Sequence, residues 1–236
     1  MEAVTQPSLL TRLRLDMRHH GLPRLAYLLL IKVINKFALF KILRAMRLPS
    51  VNQAYLTYPD GYIGSFLSEP QLRRYALDPR NELDNDFLDE ALAKGDRCYA
   101  MLKDGQLAAY SWYSLQPTRI SPPELVVEFD SRDVYMYKGM THAEHRGRRL
   151  YPIGVNRALQ WYQRCCGKEG LVSYVESHNF DSLKACARMG YRTFGSIYLL
   201  HLMGRHAILN MPGCRRFGFQ LKPFPPCPEA LGANKA

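Results

Sequence analysis

Five consecutive residues, His145, Arg146, Gly147, Arg148 and Arg149, bring three arginines and a histidine onto one short turn. The run Val134 to Thr141 before them alternates like a strand, and the segment opening at Leu150 reads as a helix. A cationic turn between a strand and a helix N-terminus suits phosphate. The N–H groups of the first helical turn lack intrahelical partners, and the helix dipole favours an anion there. A second strand, Leu171 to Val175, leads into a second helix that starts at Asn179 and stops at Gly190-Tyr191.

Several side chains near these strands could move a proton. Cys186, Ser182 and Tyr191 follow the second strand and could donate one. Glu176 and Glu128 could take one, as could His142, Glu144 or His178. Each of these charges is equally an ordinary surface group, and Cys186 is equally a small core residue on an amphipathic helix. Residue types alone leave the choice open.

The remaining sequence must position these groups. With 236 residues, 47% hydrophobic and 22% charged, the chain has globular composition, which excludes wholesale disorder. The net charge of +11 is unevenly placed. Residues 1–50 hold Arg12, Arg14, Arg18, Arg24, Lys32, Lys36, Lys41, Arg44 and Arg47 against Glu2 and Asp16, whereas 60–94 lean acidic. A basic end suggests an anionic partner: a membrane surface, an acidic protein or a polyphosphate. Nucleic acid is not expected, because the cations form no recognised reading motif. The six cysteines follow no metal-ligand spacing, and the start of the chain lacks a basic segment followed by an unbroken apolar run. A cytoplasmic protein with reduced thiols and no metal is the expectation.

Arg24 to Leu48 is the most apolar stretch, interrupted by Lys32, Lys36 and Lys41 too often for a membrane span of roughly 18–20 residues. It reads as one basic amphipathic helix, lying on a membrane surface or packed on its own domain. Gln71 to Lys94 reads as two short helices broken at Asp78-Pro79 and ended by Gly95. Cys98 to Tyr113 reads as a hairpin around Asp104-Gly105, and Ser196–Leu202 with His206–Leu209 as a last strand pair. The implied organisation is a helical segment over 1–49, an α/β domain over 50–210 and a Pro-rich tail over 211–236.

From Cys98 to Leu209 this order, together with two motifs, resembles the GNAT family of acyl-CoA-dependent N-acyltransferases. The family's donor-binding motif, Q/R-x-x-G-x-G/A at a strand-to-helix turn, corresponds to Arg146-Gly147-Arg148-Arg149-Leu150-Tyr151. Its second motif sets Gly-Phe or Gly-Tyr eleven and twelve positions after an Asn, as Asn179, Gly190 and Tyr191 do here. Both small positions of the first motif are replaced, by Arg149 and Tyr151. Glycine there admits a pyrophosphate close to the backbone; Arg149 would either add a phosphate contact or block the site. The position of the family's proton-donating Tyr is held by Cys186.

The resemblance implies a mixed, mostly antiparallel α/β sheet flanked by helices, with an acyl-CoA (acetyl-CoA or longer) as co-substrate and no metal. The co-substrate would meet Met140, Thr141, Arg146, Gly147, Arg148, Arg149, Leu150, Tyr151 and Asn179, with its pyrophosphate on the Arg146–Tyr151 turn, and an amine would attack the thioester directly. Two alternatives accompany this expectation. One is a long-chain N-acyl synthase fed by acidic acyl carrier protein. The other is a non-catalytic binding protein, attached through residues 24–48 to an anionic membrane or a partner.

Overall fold

The computed structural model describes residues 22–35, 39–120, 125–202 and 205–224. Alternation along β3 (Arg97–Lys103) shows how the layers form. Cys98, Ala100 and Leu102 point to one side of the sheet, and Tyr99 and Met101 to the other, all buried. The hairpin to β4 (Gln106–Ser114) turns on Asp104 and Gly105, both at positive φ, the geometry that matches strand twist. The predicted helix pair is also present, as α2 (Glu69–Ala76) and α3 (Asn85–Ala93). A 3-10 turn capped by Asp78 separates them.

These elements cover a mixed eight-stranded sheet. Besides β3 and β4 it contains β1 (Leu39–Leu48), β2 (Tyr62–Phe66), β7 (Asp133–Thr141), β8 (Gly170–Glu176), β9 (Arg192–Leu202) and β10 (Arg205–Asn210). Their order is β10-β9-β1-β8-β7-β4-β3-β2, and every pair is antiparallel except β7 with β8. One face carries α4 (Leu150–Cys166) and α5 (Phe180–Met189), which bury Leu150, Ile153, Leu159, Tyr162 and Met189 against Tyr99, Met101, Tyr113 and Met136. The opposite face carries α2 and α3 over Trp112 and Tyr110. Beside them lies a small sheet of β5 (Thr118–Ile120), β6 (Leu125–Glu128) and β11 (Gln220–Pro223), with α6 (Pro212–Arg216).

Two boundaries differ from expectation. The apolar stretch 24–48 is not one helix: α1 spans Leu22–Ile34, and β1 enters the sheet between β8 and β9. Lys41 and Arg47 form ion pairs, and Arg44 donates to Ser196 Oγ, on a strand whose Leu43, Ala45, Met46 and Leu48 are buried. The sheet therefore starts by Leu39 rather than after residue 49. At the other end, residues 211–223 are not a loose tail. Cys214, Phe219 and Leu221 belong to the core, and Asn210 brackets Leu221 with two hydrogen bonds. The parts of the expected helical segment and tail that fall on residues 1–21, 36–38 and 225–236 lie outside the described residues.

β1, β7 and β8 converge at one place. Arg47 donates from Nε and Nη2 to Asp133, at 3.0 and 2.8 Å, and Asp133 is 4% exposed. Gly170 pairs with Asp133, and a Cβ there would stand 2.8 Å from the Leu48 carbonyl oxygen and 3.1 Å from Asp133 Oδ1. An Arg47→Met change leaves a buried carboxylate without its cation. It should cost about 2–4 kcal/mol, somewhat under a fully enclosed pair because Arg47 keeps some solvent contact. Denaturant titration should show that loss, with most of it recovered on adding Asp133→Asn.

Candidate functional site

β7 and β8 pair only from Asp133 to Tyr135 against Gly170 to Val172, then diverge. Opposite β4, two residues of β7, Tyr137 and Lys138, face the single residue Trp112, which is a β-bulge. Divergence and bulge together open a cleft of about 300 Å³. Its walls are Met136, Tyr137, Gly139, Met140 and Thr141 from β7, Ser173, Tyr174 and Val175 from β8, Tyr151 from α4, and Ser182, Ala185 and Cys186 from α5.

At one end of the cleft the chain leaves β7 through a 3-10 turn into the 17-residue α4. Arg146, Gly147, Arg148 and Arg149 are all exposed there, and Arg146 Nε reaches the Thr141 carbonyl at 3.4 Å. Arg149 is the N-cap of α4 and has φ +60°, a left-handed backbone that a non-glycine residue adopts at a cost of about 1–2 kcal/mol. The conformation that a glycine would supply is thus kept without one. Gly147, at φ +79°, has open space where a Cβ would stand. Three cations on exposed backbone at the start of a long helix fit a polyphosphate.

Tyr151 lies on Gly139. A Cβ at position 139 would come within 2.6 Å of Tyr151 Cε2, so the glycine is what admits the ring. The phenol donates to Met136 Sδ at 3.5 Å, a weak acceptor, and burial holds its proton far above the ordinary range. Cys186 is 6% exposed, and burial raises its thiol to about 11. It therefore stays protonated at neutral pH. Tyr174, also desolvated, is pushed up to about 12. Tyr137 donates to Asp96 Oδ2 at 2.7 Å, and Lys94 Nζ approaches the same oxygen at 3.0 Å.

The chain belongs to the GNAT acetyltransferase family. The model of the acetyltransferase (GNAT) family matches residues 60–191, more than half of the sequence. Among solved structures, a GCN5-related N-acetyltransferase from Sphaerobacter thermophilus aligns with a TM-score of 0.51 at 10% identity, over 77% of this chain and 56% of that one. That likeness agrees with the mixed sheet described above. A GNAT-family acetyltransferase from Novosphingobium aromaticivorans DSM 12444 aligns at 16% identity with a TM-score of 0.43, over 68% of this chain and 63% of that one. The chain thus spans less than two thirds of either protein. No curated protein is matched.

The residues singled out from the sequence separate into three groups. Met140, Thr141, Tyr151, Ser182 and Cys186 line the cleft, and Arg146, Gly147, Arg148 and Arg149 lie on the exposed turn between Thr141 and Tyr151. Leu150, Asn179 and Tyr191 support it from behind. Leu150 is a core side chain, Asn179 caps α5 by accepting from the Ser182 N–H at 3.1 Å, and the Tyr191 hydroxyl is buried. Glu128 and Glu176 do not line it. Glu128 sits on β6 in an ion pair with Lys222, and Glu176 binds Lys41 at 2.9 Å with His178 at 3.4 Å. His142 is turned into a separate polar depression, 2.8 Å from Asn81 Oδ1.

The reading missed Met136, Tyr137, Gly139, Ser173 and Ala185. Gly139 carried a usable signal, since a glycine inside a strand pattern marks a bulge or a close approach. Gly139→Ala should displace the Tyr151 ring and lower stability by about 1–3 kcal/mol. Adding Tyr151→Ala should relieve most of that overpacking. A double-mutant cycle on thermal or urea unfolding measures the coupling.

Proposed function

We propose that this protein transfers a short acyl group from an acyl-CoA to an amine by direct attack. The observation that carries this reading is the splayed, bulged β7–β8 cleft that opens onto the arginine turn of α4. The arginines and the first-turn N–H groups would hold the phosphates. Backbone N–H groups freed at the bulge would polarise the thioester carbonyl. The amine nitrogen forms a bond to that carbon while the carbon–sulfur bond breaks. The departing thiolate then takes a proton from Cys186, the protonated group lining the cleft, with Ser182 a second donor on the same helix, and the proton that the acylated nitrogen sheds returns to restore that donor. Tyr151, filling the place of a small residue, narrows the cleft and favours a short acyl chain over a long one delivered by carrier protein.

Among the described residues, no carboxylate or imidazole lines the cleft. The amine is accordingly expected to attack as the free base formed in solution. Thermal shift and calorimetry should show binding of acetyl-CoA and free CoA, weakened about tenfold or more by Arg146→Ala as one charge-assisted contact is lost. With any accepted amine, log kcat/KM should rise with unit slope up to the amine's own pKa. A plateau with a midpoint in the carboxylate or imidazole range would instead place a base in the enzyme.

A second reading concerns location and rests on α1. Leu22, Ala26, Leu29 and Val33 form an exposed stripe beside Leu30, with Arg24 and Lys32 and no acidic residue on the helix. Among the described residues of α1, Ile31 is the buried one. Tyr27 Oη meets Ser177 Oγ at 2.6 Å, and Arg24 stacks over Phe180 at 5.2 Å, so α1 rests on the turn into cleft helix α5. We infer peripheral attachment to an anionic membrane surface through this stripe. The full chain should sediment with phosphatidylserine-containing vesicles and not with neutral ones, and Leu29→Glu/Val33→Glu should release it. Vesicle-independent dimerisation removed by the same pair would assign the stripe to a second copy instead.

A further inference from the structure

The last hairpin of the main sheet carries two histidines that meet across its ladder. His201 on β9 and His206 on β10 stand directly opposite one another in the antiparallel register. By strand alternation His201 shares a side with the buried Ile197 and Leu199, and His206 with Ile208, which packs on the same cluster. Both imidazoles therefore lie on one face of the sheet. His201 Nδ1 is 2.6 Å from His206 Nε2, and the ring centroids are 4.2 Å apart with the planes at 80°. Neither ring is fully buried, so solvent reaches the pair. Among the described residues no third histidine, cysteine or carboxylate completes a group with them.

Two ring nitrogens at this distance share one proton: one ring donates its N–H and the other accepts on a lone pair. Moving that proton to the far nitrogen of its own ring leaves two lone pairs converging on one point. That is what a transition metal asks of imidazole ligands. The count balances, since one N–H···N bond is lost, two metal–nitrogen bonds form and neutral rings release no proton. Zinc–nitrogen bonds of about 2.0–2.1 Å at a tetrahedral angle set their nitrogens about 3.3 Å apart. The pair must open by about 0.7 Å to reach that spacing, a small rotation for two partly exposed side chains. Four residues separate the two histidines, inside the range of roughly three to five found between paired histidine ligands. Two imidazoles without a carboxylate suit nickel, copper or zinc rather than magnesium or calcium. Water fills the remaining positions, so the ion is exchangeable rather than enclosed.

We propose that His201 and His206 form a two-histidine site for a divalent transition-metal ion, which clips the edge strand β10 to β9. The site has β1 between it and the cleft strand β8, and it does not depend on the acyl-CoA reading. Calorimetry with Zn²⁺, Ni²⁺ and Mg²⁺ tests it on the full chain, His201→Gln, His206→Gln and the double variant, which reports whatever the other histidines bind. Zn²⁺ and Ni²⁺ should bind the parent about a hundredfold more tightly than either single variant, as expected when the second ligand is intramolecular. Mg²⁺ should not bind. Saturating Zn²⁺ should raise the melting temperature of the parent and leave that of the double variant unchanged. Electron paramagnetic resonance with Cu²⁺ should show two coupled imidazole nitrogens in the parent, a result that stands even if a variant fails to fold. Equal Zn²⁺ affinity in the parent and the double variant overturns the proposal and leaves the pair a hydrogen bond. So does a copper spectrum of the parent with no more than one coupled nitrogen.

Discussion

The cleft exists because three strands are held together at one point and released beyond it. Arg47 on β1 forks onto Asp133 at the start of β7, and Gly170 at the start of β8 lies against both, with no room for a side chain. Glu169 strengthens the junction from each side: its N–H donates to the Arg132 carbonyl, and its carboxylate lies 3.3 Å from Arg47. Two parallel strands with this anchor at one end, and a bulge against β4 a few residues later, cannot remain in register. Divergence therefore follows from backbone geometry. The helices α4 and α5 only cover the gap that it leaves.

That arrangement explains what could and could not be read from the sequence. The arginine turn, Asn179 and Gly190-Tyr191 are local signals: a loop conformation, a cap and a left-handed helix stop, each encoded within a few residues. They were legible for that reason, as was the Asp104-Gly105 hairpin. β1 was not. Its residues alternate imperfectly, and three cations interrupt it. Arg44 and Arg47 find their partners, Ser196 and Asp133, some 152 and 86 residues later. A strand inserted between two others far along the chain has no local signature, so hydrophobic periodicity gave a helix where tertiary pairing imposed a strand. The placement of the carboxylates was hidden for the same kind of reason. Glu176 stands one residue beyond the cleft lining, and only the position of Lys41 shows that its charge is already committed.

The two departures from the family motif have different physical meanings. At Arg149 the backbone retains the left-handed geometry and the side chain is added outward, into solvent beside two other arginines. The loop keeps its shape, bears some strain and gains charge, which favours a polyanion. At Tyr151 the side chain turns inward, and Gly139 on the facing strand removes the atom that would collide with it. This is a paired change of size across the cleft. It conserves packing while it alters the space available to substrate, which is where specificity resides rather than fold.

Filling a cleft with tyrosines rather than aliphatic residues also changes its chemistry. A leucine at position 151 would narrow the space as well, and without a hydroxyl in need of a partner. Tyr151 instead brings a phenol to the cleft, with Tyr113 and Tyr191 in the core behind it, and the Cys186 thiol in the same lining is itself held protonated by burial. None of these groups ionises near neutral pH, so together they donate hydrogen bonds without adding charge. Such a surface tolerates a neutral tetrahedral carbon and its oxygens better than a carboxylate-lined one would, because it need not be neutralised when the site closes over substrate.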